Sequence, residues 1–259
     1  MAERGRPFRE PKFEQPRSTT AFDGPELIGR KVAPPRAPRR RGRWIRWLLL
    51  GVACVLALPV VLIALYRVMP PPLTLLMVIR SVEGLPIHQR WVAYRDISPN
   101  LIAAVMTSED QNFCAHQGFD LGELRNAWRA YRLGGRLRGA STISQQTAKN
   151  LFLWPDHSVV RKALEVYLTI AIELLWPKQR ILEVYLNIIE WGPGIYGAAS
   201  AAERHFGRPA GALSRSQAAL LAAVLPNPRQ WSPVRPGPHV EQRAAWIAAR
   251  LDPFLRGCR

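Results

Sequence analysis

Two adjacent acids, Glu109 and Asp110, stand at the predicted end of a helix. Leu101, Val105 and Glu109 recur at every fourth position, and this spacing places Glu109 at the end of an apolar helix face. A carboxylate there is partly shielded from water and accepts a proton more readily. Glu109 is therefore a candidate general base. The alternative is a solvated acid at a helix end.

A second polar cluster is predicted on the helix that follows a glycine-rich basic loop. With Ser141 as the N-cap, one face of this helix carries amides, hydroxyls and one lysine but no acid. Such a face can hydrogen-bond sugar hydroxyls and bind a phosphate, whereas an ordinary solvated face mixes acids and bases. The residues of this face are Thr142, Gln145, Gln146, Lys149 and Asn150.

A third cluster lies on a long helix predicted over residues 158–176. Arg161 and Glu165 are four residues apart, and Lys162 and Glu165 are three apart, so both cations can reach the same carboxylate. The alternative is a surface salt bridge, worth well under about 1 kcal/mol.

The elements that position these clusters are predicted to be helical throughout. Asp120 and Glu123 have the spacing of a capping box, and the helix they open has an apolar face that we assign to the core. That face consists of Leu121, Leu124, Trp128 and Tyr131. Further helices are predicted over 178–187, 198–206, 213–225 and about 240–251, with a tight glycine-rich loop at 191–197. The predicted fold class is all-α.

An uncharged stretch over residues 47–66 has the length needed to cross a bilayer as a helix. A dense run of arginines precedes it, so the positive-inside rule keeps the N-terminus in the cytoplasm. The alternative is a cleaved signal peptide, but the apolar stretch is long and no clear cleavage site follows it. We predict a basic disordered tail (1–46), one membrane anchor (47–67) and an extracytoplasmic domain (68–259).

The chain is strongly basic, with a net charge of +17. The first 46 residues hold 13 Lys or Arg against 5 Asp or Glu, which is +8, so +9 remains for the rest. This balance favours anionic head groups, phosphates or anionic polymers, and the predicted outward orientation argues against nucleic acid. Cys114 and Cys258 are the two cysteines outside the span, and whether they pair is left open.

The groups described above belong to four sequence motifs. In chain order their residues are Glu109, Asp110, Phe113, His116 and Gly118; Gly139, Ser141, Thr142, Gln145, Gln146, Lys149 and Asn150; Arg161, Lys162 and Glu165; and Glu183, Tyr185, Leu186 and Asn187. In this order the motifs closely resemble those of the bacterial peptidoglycan glycosyltransferases, glycosyltransferase family 51, and the resemblance covers about residues 90–230. Ser-x-x-Lys and Lys-Thr-Gly sequences are absent, so the chain resembles the monofunctional members rather than the bifunctional penicillin-binding proteins.

The resemblance implies a lysozyme-like helical domain that polymerises lipid II on the outer face of the cytoplasmic membrane. Glu109 would take the proton from the acceptor 4-hydroxyl, and Glu165 would assist departure of the donor's undecaprenyl pyrophosphate. The remaining residues of the first three motifs would bind substrate: Asp110, Phe113, His116, Gly118, Ser141, Thr142, Gln145, Gln146, Lys149, Asn150, Arg161 and Lys162. Of these, Phe113, His116 and Gly118 would mainly shape the cleft.

No cofactor is expected to be obligatory, but a divalent Mg²⁺ or Mn²⁺ ion at the pyrophosphate, held by Glu165, is one way of assisting departure. The expected partners are lipid II, the lipid-linked glycan, the membrane and other cell-wall or division proteins. Two alternatives remain: a lysozyme-like enzyme that cleaves peptidoglycan, and a non-catalytic membrane scaffold. The family commonly has Tyr-Phe where this chain has His205 and Phe206, and an acid where it has Gln217.

Overall fold

A computed structural model describes residues 41–135, 141–156 and 158–258. Helices dominate this part of the chain, which confirms the all-α prediction. In chain order the helices are α1 (Arg41–Tyr66), α2 (Leu75–Val82), α3 (Pro99–Glu109), α4 (Leu121–Arg132), α5 (Ile143–Phe152), α6 (Val159–Leu175), α7 (Lys178–Ile188), α8 (Ala198–Phe206), α9 (Arg215–Val224) and α10 (Pro238–Ala248).

The core is built around α3, α7 and α9. Six consecutive residues of α3, from 101 to 106, are buried, and α9 packs on it with small alanines that allow close approach. Helix α10 packs on α9, while α5 packs between α6 and α7. Leu101 and Val105 are fully buried, so the apolar face that leads to Glu109 is confirmed.

A three-stranded sheet, which the sequence analysis did not predict, replaces the loop at 191–197. Strand β1 (His88–Gln89) pairs in parallel with β3 (Ile195–Tyr196), which pairs antiparallel with β2 (Glu190–Gly192). These strands have two or three residues each, too few to show an alternating pattern. At Gly194, φ is +71° and a Cβ would lie 2.2 Å from the Pro86 carbonyl oxygen, so the hairpin needs glycine there.

Helix α4 does not bury its apolar face, and the core assignment of that face was wrong. Leu121, Leu124, Trp128 and Tyr131 are each more than half exposed. Asp120 caps the helix as predicted, accepting a hydrogen bond from the Glu123 amide at 2.9 Å. The amphipathic pattern was correct, but nothing in it says whether the apolar side meets protein or another apolar medium.

Helix α1 begins at Arg41 and thus extends into the basic segment assigned to the tail. By length and composition, its 23-residue stretch Trp44–Tyr66 can cross a membrane, and an 18-residue window within it has a mean hydropathy of 3.0. The end of α1 contacts α6 and α7: Trp176 Nε1 donates to the Ile63 carbonyl at 2.7 Å, and the Arg180 guanidinium donates to the Tyr66 carbonyl.

A disulfide joins Cys114, in the loop after α3, to Cys258 near the C-terminus. The bond closes a loop of 144 residues and settles the pairing that the sequence left open. It ties the segment that follows Glu109 and Asp110 to the end of the chain.

The two departures from the family pattern have local structural roles. Gln217 is the N3 residue of α9, where its side chain and Ser214 form a capping box, a role that Gln fills as well as Glu. His205 hydrogen-bonds the Trp191 carbonyl at 3.1 Å through Nε2, which joins α8 to β2.

Candidate active site

Glu109 lies at the C-terminal end of α3 with its side chain only 14% exposed. Gln146 Nε2 donates to Glu109 Oε2 at 3.0 Å, and the Tyr185 hydroxyl donates to Gln146 Oε1 at 2.8 Å. Burial, together with the charges of Glu109 and Asp110, holds the pKa of Tyr185 well above its usual range, so its hydroxyl remains a donor. A chain of hydrogen bonds therefore orients the carboxylate.

Asp110 is buried, and both of its carboxylate oxygens accept hydrogen bonds from the protein. His116 Nε2 lies 2.9 Å from one of its oxygens, and the Ile143 amide, in the first turn of α5, donates to the other at 3.0 Å. The Gly118 amide donates to His116 Nδ1, so the ring carries its proton on Nε2 and donates it to Asp110. Asp110 thereby joins the loop after α3 to the N-terminus of α5.

Phe113, Gly118 and Thr142 also hold this loop in place. Phe113 is fully buried with Lys178 Nζ 4.5 Å from its ring centroid, so we correct its assignment from substrate contact to packing. Gly118 has φ of +86°, and a Cβ there would lie 2.9 Å from Thr169 Cγ2. The Thr142 hydroxyl donates to the Gly118 carbonyl at 2.6 Å. Thr142 is only 2% exposed, and its single hydroxyl proton is already used in this hydrogen bond.

The start of α5 differs from the prediction by one residue. Thr142, not Ser141, is the N-cap, and it forms a capping box with Gln145. Ser141 is exposed at the mouth of the site, while Gln145 is buried and uses its oxygen in the cap. Gly139 of the same motif lies outside the described residues.

Glu165 is buried between two cations. Arg161 donates to one of its oxygens at 2.6 Å and Lys162 to the other at 2.5 Å. Glu165 and Arg161 are less than a tenth exposed, whereas Lys162 is half exposed. The Arg161 Nε atom is buried without a hydrogen-bond partner. These contacts contradict the alternative of a surface salt bridge.

Lys149 lies within electrostatic reach of both candidate acids. Burial is the main cause that lowers its pKa, the charges of Arg161 and Lys162 lower it further, and Glu165 and Glu109 oppose this. Lys149 forms no salt bridge with any acid in the described ranges. A partly buried ammonium without an acidic partner is suited to binding an incoming anion.

Two adjoining cavities contain these groups. The larger, which we call the basic cleft, has a volume of about 1030 Å³. The smaller, which we call the Glu109 pocket, has a volume of about 390 Å³. Ser141 and Asp120 line both cavities, so the two meet there. The basic cleft holds Gln145, Lys149, Asn150, Arg161, Lys162 and Glu165.

Three residues near Glu109 were not assigned to the site from sequence. Arg243 and Trp246 of α10 line the Glu109 pocket, and the Arg243 Nη2 atom lies 3.4 Å from Glu109 Oε1. No motif marked them, because α10 reads as an ordinary Arg- and Ala-rich helix. Tyr185 stood within a motif, but its link to Glu109 through Gln146 required the fold.

The transglycosylase family profile matches residues 77–252, which include every residue of both cavities except Leu76. The chain belongs to the biosynthetic peptidoglycan transglycosylase family. It is 56% identical over 209 residues to the biosynthetic peptidoglycan transglycosylase of Rhodospirillum centenum, covering 79% of this chain and 90% of that protein. The proteins of the same name from Caulobacter vibrioides and Pseudomonas aeruginosa are 50% and 49% identical. Those matches cover 80% and 82% of this chain, and 92% and 91% of theirs.

Membership of the transglycosylase family indicates which chemical group each of the two cavities would need to contain. A transglycosylase needs a base at the acceptor hydroxyl and cations at the leaving group. The Glu109 pocket contains a carboxylate that is a candidate for the first role, and the basic cleft contains cations that are candidates for the second.

Proposed function

We propose that this protein polymerises peptidoglycan glycan strands from lipid II, with the acceptor bound in the Glu109 pocket and the donor in the basic cleft. The observation that carries this is the pair of adjoining cavities, one with an oriented carboxylate and the other with three clustered cations. Membership of the transglycosylase family supports the same reaction.

Glu109 is the general base of the proposed reaction. It takes the proton from the 4-hydroxyl of the acceptor N-acetylglucosamine, and that oxygen attacks C1 of the donor N-acetylmuramic acid. The new C1–O4 bond forms as the bond from C1 to the phosphate oxygen breaks, with inversion at C1, which gives a β-1,4 linkage. The hydrogen bonds from Tyr185 to Gln146 and from Gln146 to Glu109 support this role, because they orient the carboxylate through Oε2. They do not use the second oxygen, Oε1.

The cations of the basic cleft stabilise the departing pyrophosphate. Lys149 has no acid partner among the described residues, and Lys162 is half exposed, so both can donate to phosphate oxygens. Glu165 acts as a positioning residue that holds Arg161 and Lys162 at the cleft wall. Asn150, Gln145 and Ser141 face the same space.

The residues present do not fit a resident divalent metal. Each oxygen of Glu165 is paired with a cation, and in the described residues no three His, Cys, Asp or Glu side chains are grouped as a metal site. We therefore propose that an Mg²⁺ or Mn²⁺ ion, where one takes part, is carried by the pyrophosphate. No step of the reaction above depends on it.

The proposed location is the outer face of the bacterial cytoplasmic membrane, with α1 as a single anchor and the N-terminus inside. The arginines before the span favour that orientation, and the Cys114–Cys258 disulfide fits an oxidising compartment. The exposed apolar face of α4 and the exposed Ile170 and Leu174 of α6 suit a domain that rests on lipid. Other cell-wall and division proteins are the proposed partners.

Polymerisation of purified lipid II by the detergent-solubilised protein tests this function. We expect long glycan strands from lipid II and no shortening of preformed strands. Cleavage of preformed glycan would instead favour a lysozyme-like hydrolase. Absence of both reactions in folded protein would favour a non-catalytic scaffold.

A further inference from the structure

The Glu109 pocket contains a surface on α10 that the reaction described above does not use. Trp246 lies on this surface, and the residue is 41% exposed although its ring is large and apolar. Arg243 and Trp246 are three residues apart, so they lie on one face of the helix. Both side chains therefore line the wall of the pocket that contains the candidate base.

The Trp246 ring packs against a cation of the same helix end. The guanidinium of Arg250 lies 4.5 Å from the ring centroid, and Arg250 also donates to the Trp246 carbonyl at 3.2 Å. A supported ring that still exposes much of its surface in a polar pocket can take the apolar face of a sugar ring, which presents C–H groups.

Arg243 adds a polar contact beside that ring. Its Nη2 atom lies 3.4 Å from both the Ser108 carbonyl oxygen and Glu109 Oε1, while its Nε atom is buried without a hydrogen-bond partner. The side chain as a whole is 28% exposed and lines the pocket, so the guanidinium can donate to an oxygen atom bound there. Arg243 thus links the helix that carries Trp246 to the base itself.

We propose that Trp246 and Arg243 form the binding platform for the acceptor saccharide: the sugar ring stacks on Trp246, and Arg243 holds Glu109 and donates to a sugar oxygen. This rests on the proposed polymerase function and adds to it a named acceptor subsite on α10. Trp246 determines acceptor affinity, and Arg243 aligns the base with the bound sugar.

The test separates the two substrates of one coupling reaction. The donor is a lipid-pyrophosphate disaccharide whose terminal 4-hydroxyl is methylated, so it cannot accept. The acceptor is a lipid disaccharide with a single phosphate, so it cannot donate. The concentration of each substrate is varied while the other is kept saturating. The variants are Trp246→Ala, Trp246→Phe and Arg243→Ala. The control is Trp154→Ala, at an exposed tryptophan that lines neither cavity.

We expect Trp246→Ala to raise the acceptor KM about 10-fold, the scale of one lost stacking contact, with the donor KM unchanged. Trp246→Phe should keep the acceptor KM within about 3-fold of wild type, because an aromatic face remains. Arg243→Ala should raise the acceptor KM and lower kcat, while Trp154→Ala should match wild type.

An acceptor KM for Trp246→Ala equal to that of Trp154→Ala, with the wild type coupling normally, would overturn this inference and leave the polymerase function standing. An equal rise in the donor KM would overturn it as well, since the ring would then serve the fold or both sugars. Failure of the folded wild type to couple the two substrates would instead contradict the polymerase function.

Discussion

The Tyr185 hydroxyl reaches Glu109 through a single intermediate, the side-chain amide of Gln146. The two hydrogen bonds measure 2.8 Å and 3.0 Å, and Tyr185 is fully buried. The amide is thereby fixed with its NH₂ group toward the carboxylate. The candidate catalytic carboxylate at the end of α3 thus gains a defined orientation from a buried residue on α7.

Tyr185→Phe removes one end of this chain. We expect stability to fall by about 1 kcal/mol and kcat to fall about 10-fold, because Gln146 loses the donor that orients it. Tyr196→Phe is the matched control, since the Tyr196 hydroxyl is also buried but has no hydrogen-bond partner. Steady-state kinetics and denaturant unfolding measure both effects. Equal losses in the two variants would contradict an orienting role for Tyr185.

Glu165→Ala leaves Arg161 buried without its acid. We expect a loss of about 3 kcal/mol in the free energy of unfolding, because an uncompensated buried charge is costly. Glu203→Ala should lose less than about 1 kcal/mol, since the Arg90–Glu203 pair is more than half exposed on both sides. Denaturant unfolding of the two variants gives the comparison. A similar small loss in both would show that the Glu165 pair is not effectively buried.

We expect Lys149 to set the alkaline limit of the proposed reaction. Burial lowers its pKa below the ordinary lysine value of 10.5, so the ammonium loses its proton at a lower pH than a solvated lysine. We expect kcat/KM to decline as pH rises through this lowered pKa, and Lys149→Arg, if active, to extend activity to higher pH. A decline at the same pH in both proteins would assign the limit to another group.

The same burial predicts an effect on stability. Between the lowered pKa and 10.5, the unfolded chain binds more protons at Lys149 than the folded chain, so stability from this group rises with pH. At neutral pH its charge therefore destabilises the free fold. Lys149→Met should polymerise at least about 100-fold more slowly yet unfold at an equal or higher denaturant concentration. Loss of stability in this variant would contradict the argument.

Gly118 combines a positive φ with a close contact, and Gly84 has the positive φ alone. Gly118→Ala should cost about 3 kcal/mol, the sum of the conformational and steric penalties. Gly84→Ala, at φ of +87° with nothing within 4 Å of its added Cβ, should cost about 1 kcal/mol. Thermal unfolding of both variants measures the difference. Equal costs would mean that the Thr169 side chain moves aside without penalty.

Local spacing was enough to find the helices and most of the groups that carry the chemistry. The periodicity from Leu101 to Glu109 placed the candidate base at a helix end, and the offsets among Arg161, Lys162 and Glu165 predicted the ion cluster, because each pattern belongs to a single helix. The same reasoning could not find Arg243 or Trp246, which reach Glu109 only because α10 packs beside α3 and α9.

The apolar face of α4 and two polar motif residues show what a sequence pattern cannot reveal without the surrounding fold. The amphipathic face of α4 was detected, but whether Trp128 meets protein or another apolar phase is decided by the rest of the fold. Thr142 and Asp110 are polar residues in a site motif, yet their hydrogen bonds are used to join the loop after α3 to α5. The sequence identified the polar residues of the motifs, but not which of their hydrogen-bonding groups remain available to a substrate.

The most direct test of the central claim is lipid II polymerisation by Glu109→Gln beside the wild type. The substitution keeps the shape of the side chain and removes its ability to accept a proton. We expect strand formation to fall about 1000-fold, the scale of general base catalysis, with an unchanged melting temperature. A folded Glu109→Gln protein that polymerises within about 10-fold of the wild type would contradict the assignment of Glu109 as the base.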